Sequence, residues 1–332
     1  MMIFDNILFH NVEELEATDK GYVMWRVPKY VRDGLNEKAK TDTARCCSGV
    51  ELRFKMKSDT ATITLSSIQS GEATVAYIYY GSIQGGWSDS SRVILGENTK
   101  LQINKPENMD YLKEMTKEHN LPFDPEVVRV VLPYGRILYV GVEGDIEPPS
   151  KADMPSKTYL AYGSSITHGS LALAQPYTYP FRLAQKLGCD YINLGMPGTA
   201  HMEAAMAEYI LSRKDWDFAT VEMGINMVPM GNPELFEERI DKFTEILSKE
   251  QRPIYATSVY AFGRPWQQEM GEIYRAIVEK YAKERFPYFT SGLNILDNKA
   301  YISQDMVHPS LDGMEQIVNN WYQVLKQESV IK

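Results

Sequence analysis

The chain has 332 residues, 44% of them hydrophobic and 24% charged, a soluble globular balance with enough length to bury a large core unaided. At roughly 100–200 residues per domain, two domains are expected. The net charge of −9 argues against nucleic-acid binding, which needs a basic footprint. Cys46, Cys47 and Cys189 form no CxxC pair, so neither a disulfide framework nor a structural zinc site is signalled and buried reduced thiols are expected.

The opening MMIFDNILFH has no basic start, and Asp5 interrupts its apolar run, so no secretory signal is expected. No stretch approaches the roughly 18 uninterrupted apolar residues of a membrane helix. The chain reads as cytoplasmic, with no membrane partner.

VELRFKMK (50–57) alternates Val50, Leu52, Phe54 and Met56 with Glu51, Arg53, Lys55 and Lys57, the period of a half-buried strand. TATITLS (60–66) repeats the pattern after a turn. Segments 73–81, 91–96, 127–133 and 136–143 are rich in Val, Ile and Tyr and read as further strands; 110–120 reads as a helix. Residues 1–148 are therefore expected to form an all-β sandwich, jelly-roll-like domain. EPPSKADMPSK (147–157) has three prolines and no apolar period, and residues 149–157 are taken as the linker.

From 158 the pattern changes. Strands are expected at 158–163, 190–195, 218–224 and 253–260, with a short one at 286–292. Helices are expected within 177–188, at 202–213, at 232–250 with Asn232 as cap and Pro233 in the first turn, around 266–285 and at 311–327. Strands alternating with helices mean a parallel sheet covered on both faces, so 158–332 is an α/β domain.

Ligands in such sheets bind at the carboxyl ends of the strands. Those ends carry Gly163-Ser164-Ser165, Gly195-Met196-Pro197-Gly198-Thr199, Gly224-Ile225-Asn226, the loop AFGRPW (261–266) and, near the last helix, DMVHPS (305–310). The stretch YLAYGSSITHGS (159–170) admits three readings: a phosphate loop, a tight turn, or a serine nucleophile on display. It lacks the spacing and the lysine of a P-loop, and neither GxGxxG nor GxSxG is present. Asp305-Met306-Val307-His308 shifts the balance towards a nucleophile. Residues three apart in a helix-like turn lie side by side, so the carboxylate can fix the imidazole tautomer. The imidazole can then take the proton of a serine hydroxyl that is too weak a nucleophile unaided. Read alone, DxxH is equally a surface helix start with Pro309, Ser310 and Asp312 as capping residues.

Together these pieces resemble the SGNH, or GDSL-type, hydrolases. Gly163-Ser164-Ser165 with Gly169 resembles the first block, Gly198 the second, Gly224-x-Asn226 the third and Asp305-x-x-His308 the last, in family order over about 150 residues. The wording YGSSITHG…YINLGMPG also resembles a subgroup with an N-terminal β-sandwich found among carbohydrate esterases and acyltransferases. The resemblance implies a flavodoxin-like three-layer α/β/α catalytic domain with a parallel sheet and needs no cofactor or metal. It implies Ser165 as nucleophile, His308 as general base and then acid, and Asp305 as its orienter. The N–H groups of Ser165 and Gly198 and the Asn226 amide would form the oxyanion hole. Three positions depart from the family wording: Ser164 where aspartate is usual, Thr199 where Asn or Asp is frequent, and Met227 where Asp is frequent.

The expected activity is hydrolysis of short acyl esters, above all O-acetyl groups on a carbohydrate or small polar alcohol. Two alternatives remain: an acyltransferase using the same acyl-enzyme, and a carbohydrate-binding protein with a vestigial site. Substrate-pocket candidates are Ser164, Thr199, His201, Met227, Arg264, Trp266 and Trp87, the last in the loop GSIQGGWSDSS (81–91). His168 reads as a partly exposed helix-start residue, and Glu222 as a paired structural carboxylate. The partner is a small-molecule ester, an acetylated sugar among the candidates; a homo-oligomer is left open.

Overall fold

In the computed structural model, which describes residues 2–68, 74–87 and 92–327, five strands form one parallel sheet: Thr158–Gly163, Asp190–Gly195, Phe218–Glu222, Ile254–Thr257 and Tyr288–Thr290. Their spatial order is second, first, third, fourth, fifth. The first four are buried along almost their whole length, the signature of a parallel sheet covered on both faces. Helices Tyr179–Leu187 and Leu311–Gln327 pack together with the core cluster that holds Tyr159, Tyr191 and Trp321. Helices Ala204–Ser212, Pro233–Leu247 and Gln268–Arg285 pack in series with the cluster that holds Leu160, Ile192 and Val221. The strand order reverses around Thr158–Gly163, which places a ligand crevice just past Gly163.

The predicted helices lie where their periods put them. Pro233–Leu247 starts on Asn232, whose Oδ1 accepts from the Leu235 N–H at 3.0 Å, and buries Phe236, Ile240, Phe243 and Leu247.

The N-terminal half has two antiparallel sheets. One joins Met2–Phe4, Ile7–His10, Glu51–Met56, Val127–Val131, Val75–Tyr80 and Ile83–Gln84, in that order. The other joins Thr99–Asn104, Thr60–Ser67, Ile137–Glu143, Gly21–Trp25 and Glu14–Thr18. Leu52, Phe54, Ile63, Leu65, Leu101, Ile103 and Val130 fill the space between them. The strands at 14–18, 21–25 and 99–104 were not expected, because their charged and small residues break a clean alternation. Residues 73 and 91, at the edges of two predicted strands, lie outside the described residues.

One expectation is corrected. Glu51–Met56 is not half-exposed: Glu51 and Arg53 are as inaccessible as Leu52 and Phe54. Their face packs on the α/β half. Arg53 grips Asp190 with two hydrogen bonds of 2.6 and 2.7 Å, and Glu51 at 2.8 Å. Arg129 adds two to Glu51, both 2.7 Å. Alternation reports two different faces, not that one of them meets water.

The predicted linker is tied down. Ser150 and Asp153 close a capping box around Lys151–Asp153, and Asp153 pairs with Lys55 at 3.2 Å. The two halves also share their cores: Val23, Trp25, Val27 and Val31 join the cluster of Leu160 and Leu194, and Tyr79 and Val131 join that of Tyr159.

Candidate active site

Ser165 begins a four-residue helix, Ser165–His168, directly after the first parallel strand. Ser164 is its cap, with Oγ accepting from the Ile166 N–H at 3.1 Å. The glycine before them is steric: a Cβ on Gly163 would run into Thr167 Oγ1 and the Glu222 carboxylate.

His308 Nε2 lies 2.8 Å from Ser165 Oγ. The other ring nitrogen, Nδ1, bonds Asp305 Oδ2. Asp305 Oδ1 accepts from the N–H groups of Val307 and His308 at 3.1 and 3.0 Å. Burial works against the Asp305 charge, but bonds from the His308 ring and these two N–H groups outweigh it. The carboxyl is held below its ordinary range. A carboxylate so fixed keeps Nδ1 protonated and leaves Nε2 free to accept from a hydroxyl.

Three donors stand at adjacent strand ends. The Ser165 and Gly198 N–H groups have no hydrogen-bond partner among the described residues. Asn226 gives its Oδ1 to the Ala200 N–H at 3.1 Å and leaves Nδ2 uncommitted. These ends are laced together, since the Met196 N–H donates to the Gly163 carbonyl at 2.8 Å. Gly198 has φ +67°, a left-handed turn that glycine takes without penalty.

The N-terminal half braces this loop. Arg26, fully buried, donates to the carbonyls of Cys46, Thr43, Asn193 and Gly195 at 2.6–3.0 Å. Thr43 Oγ1 bonds Thr199 Oγ1 at 2.8 Å, and Asn36 Nδ2 donates to the Thr199 carbonyl at 2.9 Å. Sequence reasoning found none of the three, because each lies more than 150 residues from the loop it holds.

Glu222 ends the third parallel strand, 1% exposed. Its Oε2 accepts from the Ser164 N–H, Ser164 Oγ and Thr167 Oγ1 at 2.9, 2.9 and 3.0 Å. Its Oε1 has no partner among the described residues. Burial pushes its carboxyl up, against the pull of these bonds and of His308. The chain thus has a carboxylic acid beneath the nucleophile turn although Ser164 stands where aspartate is usual.

The other candidates divide. Ser164 and Thr199 are buried, with their hydroxyls engaged with Glu222 and Thr43, and Met227 is in the core. His201 is half-buried, and its carbonyl accepts from Arg239 Nη1 at 2.9 Å. Arg264 follows Gly263, which bonds the Met306 carbonyl at 2.7 Å beside His308. Trp266 and Trp87 are 73% and 97% exposed, and residues 88–91 of the Trp87 loop lie outside the described residues. His168 is corrected: it is fully buried, edge-on to Tyr134 at 4.3 Å, and burial, then Arg26, hold its pKa well down. The three cysteines are free and buried, and burial pushes the Cys47 thiol up to about 12. No cluster of three metal-ligating side chains occurs among the described residues, and no helix there is long and apolar enough to cross a membrane.

Comparison with known proteins agrees with the fold and class. Residues 161–316 match the model of the GDSL-like Lipase/Acylhydrolase family. The C-terminal half is therefore a GDSL-like acylhydrolase domain, and the protein is an ester-hydrolysing enzyme preceded by an all-β domain. No curated protein matches the chain in sequence. Among solved structures, the salicylyl-acyltransferase SsfX3 from a tetracycline biosynthetic pathway is similar over 98% of this chain and 95% of its own, with TM-score 0.75 and 16% identity. A family two carbohydrate esterase from Clostridium thermocellum, in complex with cellohexaose, covers 84% and 91% with TM-score 0.55 and 12% identity. The acetyl xylan esterase Est2A from Butyrivibrio proteoclasticus covers 84% and 90% with TM-score 0.54 and 12% identity. At such identities the likeness is one of fold.

Proposed function

We propose that the protein is a serine acylhydrolase that cleaves a short acyl ester through an acyl-enzyme on Ser165. The observation that carries this reading is the unbroken relay Ser165 Oγ, His308 Nε2, His308 Nδ1, Asp305 Oδ2. His308 Nε2 takes the Oγ proton as Oγ bonds the ester carbon. The carbonyl oxygen, now an oxyanion, receives bonds from the Ser165 and Gly198 N–H groups and Asn226 Nδ2, each worth about 3–4 kcal/mol in such sites. The C–O bond to the alcohol breaks, and the imidazolium returns the proton to the leaving oxygen. A water then gives a proton to Nε2 and adds to the acyl carbon. Collapse releases the acid and restores the Ser165 hydroxyl.

An acyltransferase would run the same steps with an acceptor alcohol in place of water. The name of the SsfX3 relative supports that second reading; the names of the two esterases support hydrolysis of carbohydrate acetates. Hydrolysis of p-nitrophenyl acetate and butyrate by the wild type and Ser165→Ala tests the first reading. It expects turnover faster on acetate and lost in the variant. Equal turnover by both proteins would overturn it. Added alcohols that divert product from acid to a new ester would instead establish transfer.

A further inference from the structure

A cavity of about 640 Å³ opens beside the nucleophile helix, between the two halves of the molecule. Its size is that of a small-molecule site. Val75, Tyr77, Pro133 and Tyr134 form one wall, and Leu171 and Leu173 the other. Ile94, 78% exposed, pairs with Val75 across two antiparallel strands and extends the apolar wall. Leu173, also 78% exposed, sits at φ +64° at the centre of a γ-turn closed by the Ala174 N–H on the Ala172 carbonyl at 2.8 Å. Leu171 has φ +61°. Leucine disfavours this conformation, and two such residues two positions apart at a cavity mouth are strain held where a ligand would bind.

Ser165, Asp305 and His308 do not themselves line the cavity, but two backbone hydrogen bonds tie its lining to the segments that carry Ser165 and His308. The Ser170 N–H donates to the Ser165 carbonyl at 2.9 Å, and the Ser303 N–H donates to the His308 carbonyl at 2.7 Å. Ser170 and Ser303 line the cavity, whereas Gly198, Thr199 and Asn226 do not. In acyl transfer the imidazolium must reach the leaving oxygen, so the alcohol lies on the histidine side and the oxyanion on the other.

We propose that this cleft is the alcohol subsite, and that the alcohol carries an aryl group that packs between Tyr77 and Tyr134 on one side and Leu171 and Leu173 on the other. This rests on the acylhydrolase reading and names a larger, less polar alcohol than the sugar-like one suggested by the sequence.

The test uses esters with matched leaving oxygens, ethyl acetate and 2-(2-naphthyl)ethyl acetate, with the wild type and the double variant Leu171→Asn, Leu173→Asn. Asparagine tolerates the left-handed backbone, so the apolar wall is removed without new strain. The wild type should favour the naphthyl ester in kcat/KM by about tenfold or more, and the variant should lose most of that ratio. An unchanged ratio, or no preference in the wild type, overturns the proposal. Binding of free 2-(2-naphthyl)ethanol is measured in parallel by fluorescence titration. If neither ester is hydrolysed, binding that the variant loses keeps the cleft assignment and overturns only the acylhydrolase reading. Absence of binding as well overturns both. A wild type that sediments as a dimer and a variant that sediments as a monomer, with equal selectivity, would assign the leucines to a second copy of the chain and overturn the proposal.

Discussion

Asn226 gives its carbonyl oxygen to the Ala200 N–H and thereby aims its amide nitrogen. Asn226→Ala should lower kcat by about 10²–10³ with little change in KM, since the bond is made to an oxyanion that exists only along the reaction. Asp305→Asn should cost about 10⁴ in kcat, because an amide no longer holds Nδ1–H and the imidazole presents the wrong tautomer to Ser165. Glu222 makes a prediction about pH. Its folded pKa is raised, so the native state holds the proton more tightly than the unfolded chain. Its contribution is fully present below the unfolded value and is lost as pH rises through the folded value. In urea titrations, the stability of wild type relative to Glu222→Gln should therefore rise as pH falls towards the ordinary glutamate value of 4.5; a falling difference would contradict this. The residues proposed to carry the chemistry were singled out because their types are restrictive: a serine among small residues, an Asp three before a His, an Asn two after a Gly. Ser164, Thr199 and Met227 were legible only as neighbours, since a motif position does not say whether a side chain faces the cleft or the core.

At the level of elements, the loop Gly195–Thr199 is held by residues far away in the chain. Arg26 answers four backbone carbonyls with one guanidinium and pairs with no carboxylate among the described residues. Arg26→Met takes the guanidinium donor from the Cys46 and Gly195 carbonyls and leaves those of Thr43 and Asn193 with only the Cys46 N–H and Asn11 Nδ2, and should lower stability by about 2 kcal/mol or more in urea unfolding. Unfolding at the wild-type midpoint would contradict this bracing role. The helices and strands of the α/β half were legible because their periods are clean and their caps explicit, as at Asn232 and Pro233. The short helices Lys29–Arg32 and Glu37–Thr41, and the strands at 14–18 and 21–25, were not. They are short and charged, and tertiary contacts to the other half decide their structure.

Across the whole molecule, the charged face of Glu51–Met56 is where the halves meet. Burial opposes ionisation of Glu51, but Arg129 and Arg53 hold its carboxyl down at about 2. Asp190 is likewise held low, by Arg53 above all, against burial. Carboxyls depressed in this way stabilise the fold above their unfolded values of about 4 and lose that contribution as pH falls through the folded ones. Acid between about pH 4 and 2 should therefore loosen the contact between the halves, read as a drop in the urea midpoint. The drop should be smaller in Asp190→Asn, which starts from a lower midpoint. No sequence pattern distinguishes such a buried ionic face from a wet one. A two-part architecture was legible from the change of period at 158, whereas the shared cores and the cleft between the halves come only from their packing.

The proposed reaction stands on Ser165 as the nucleophile. Treatment with a fluorophosphonate, followed by peptide mass spectrometry, addresses it without knowledge of the substrate. One adduct is expected, on Ser165, absent in Ser165→Ala and strongly slowed in His308→Ala. An adduct on another serine, or none on a folded protein that hydrolyses esters, would contradict it.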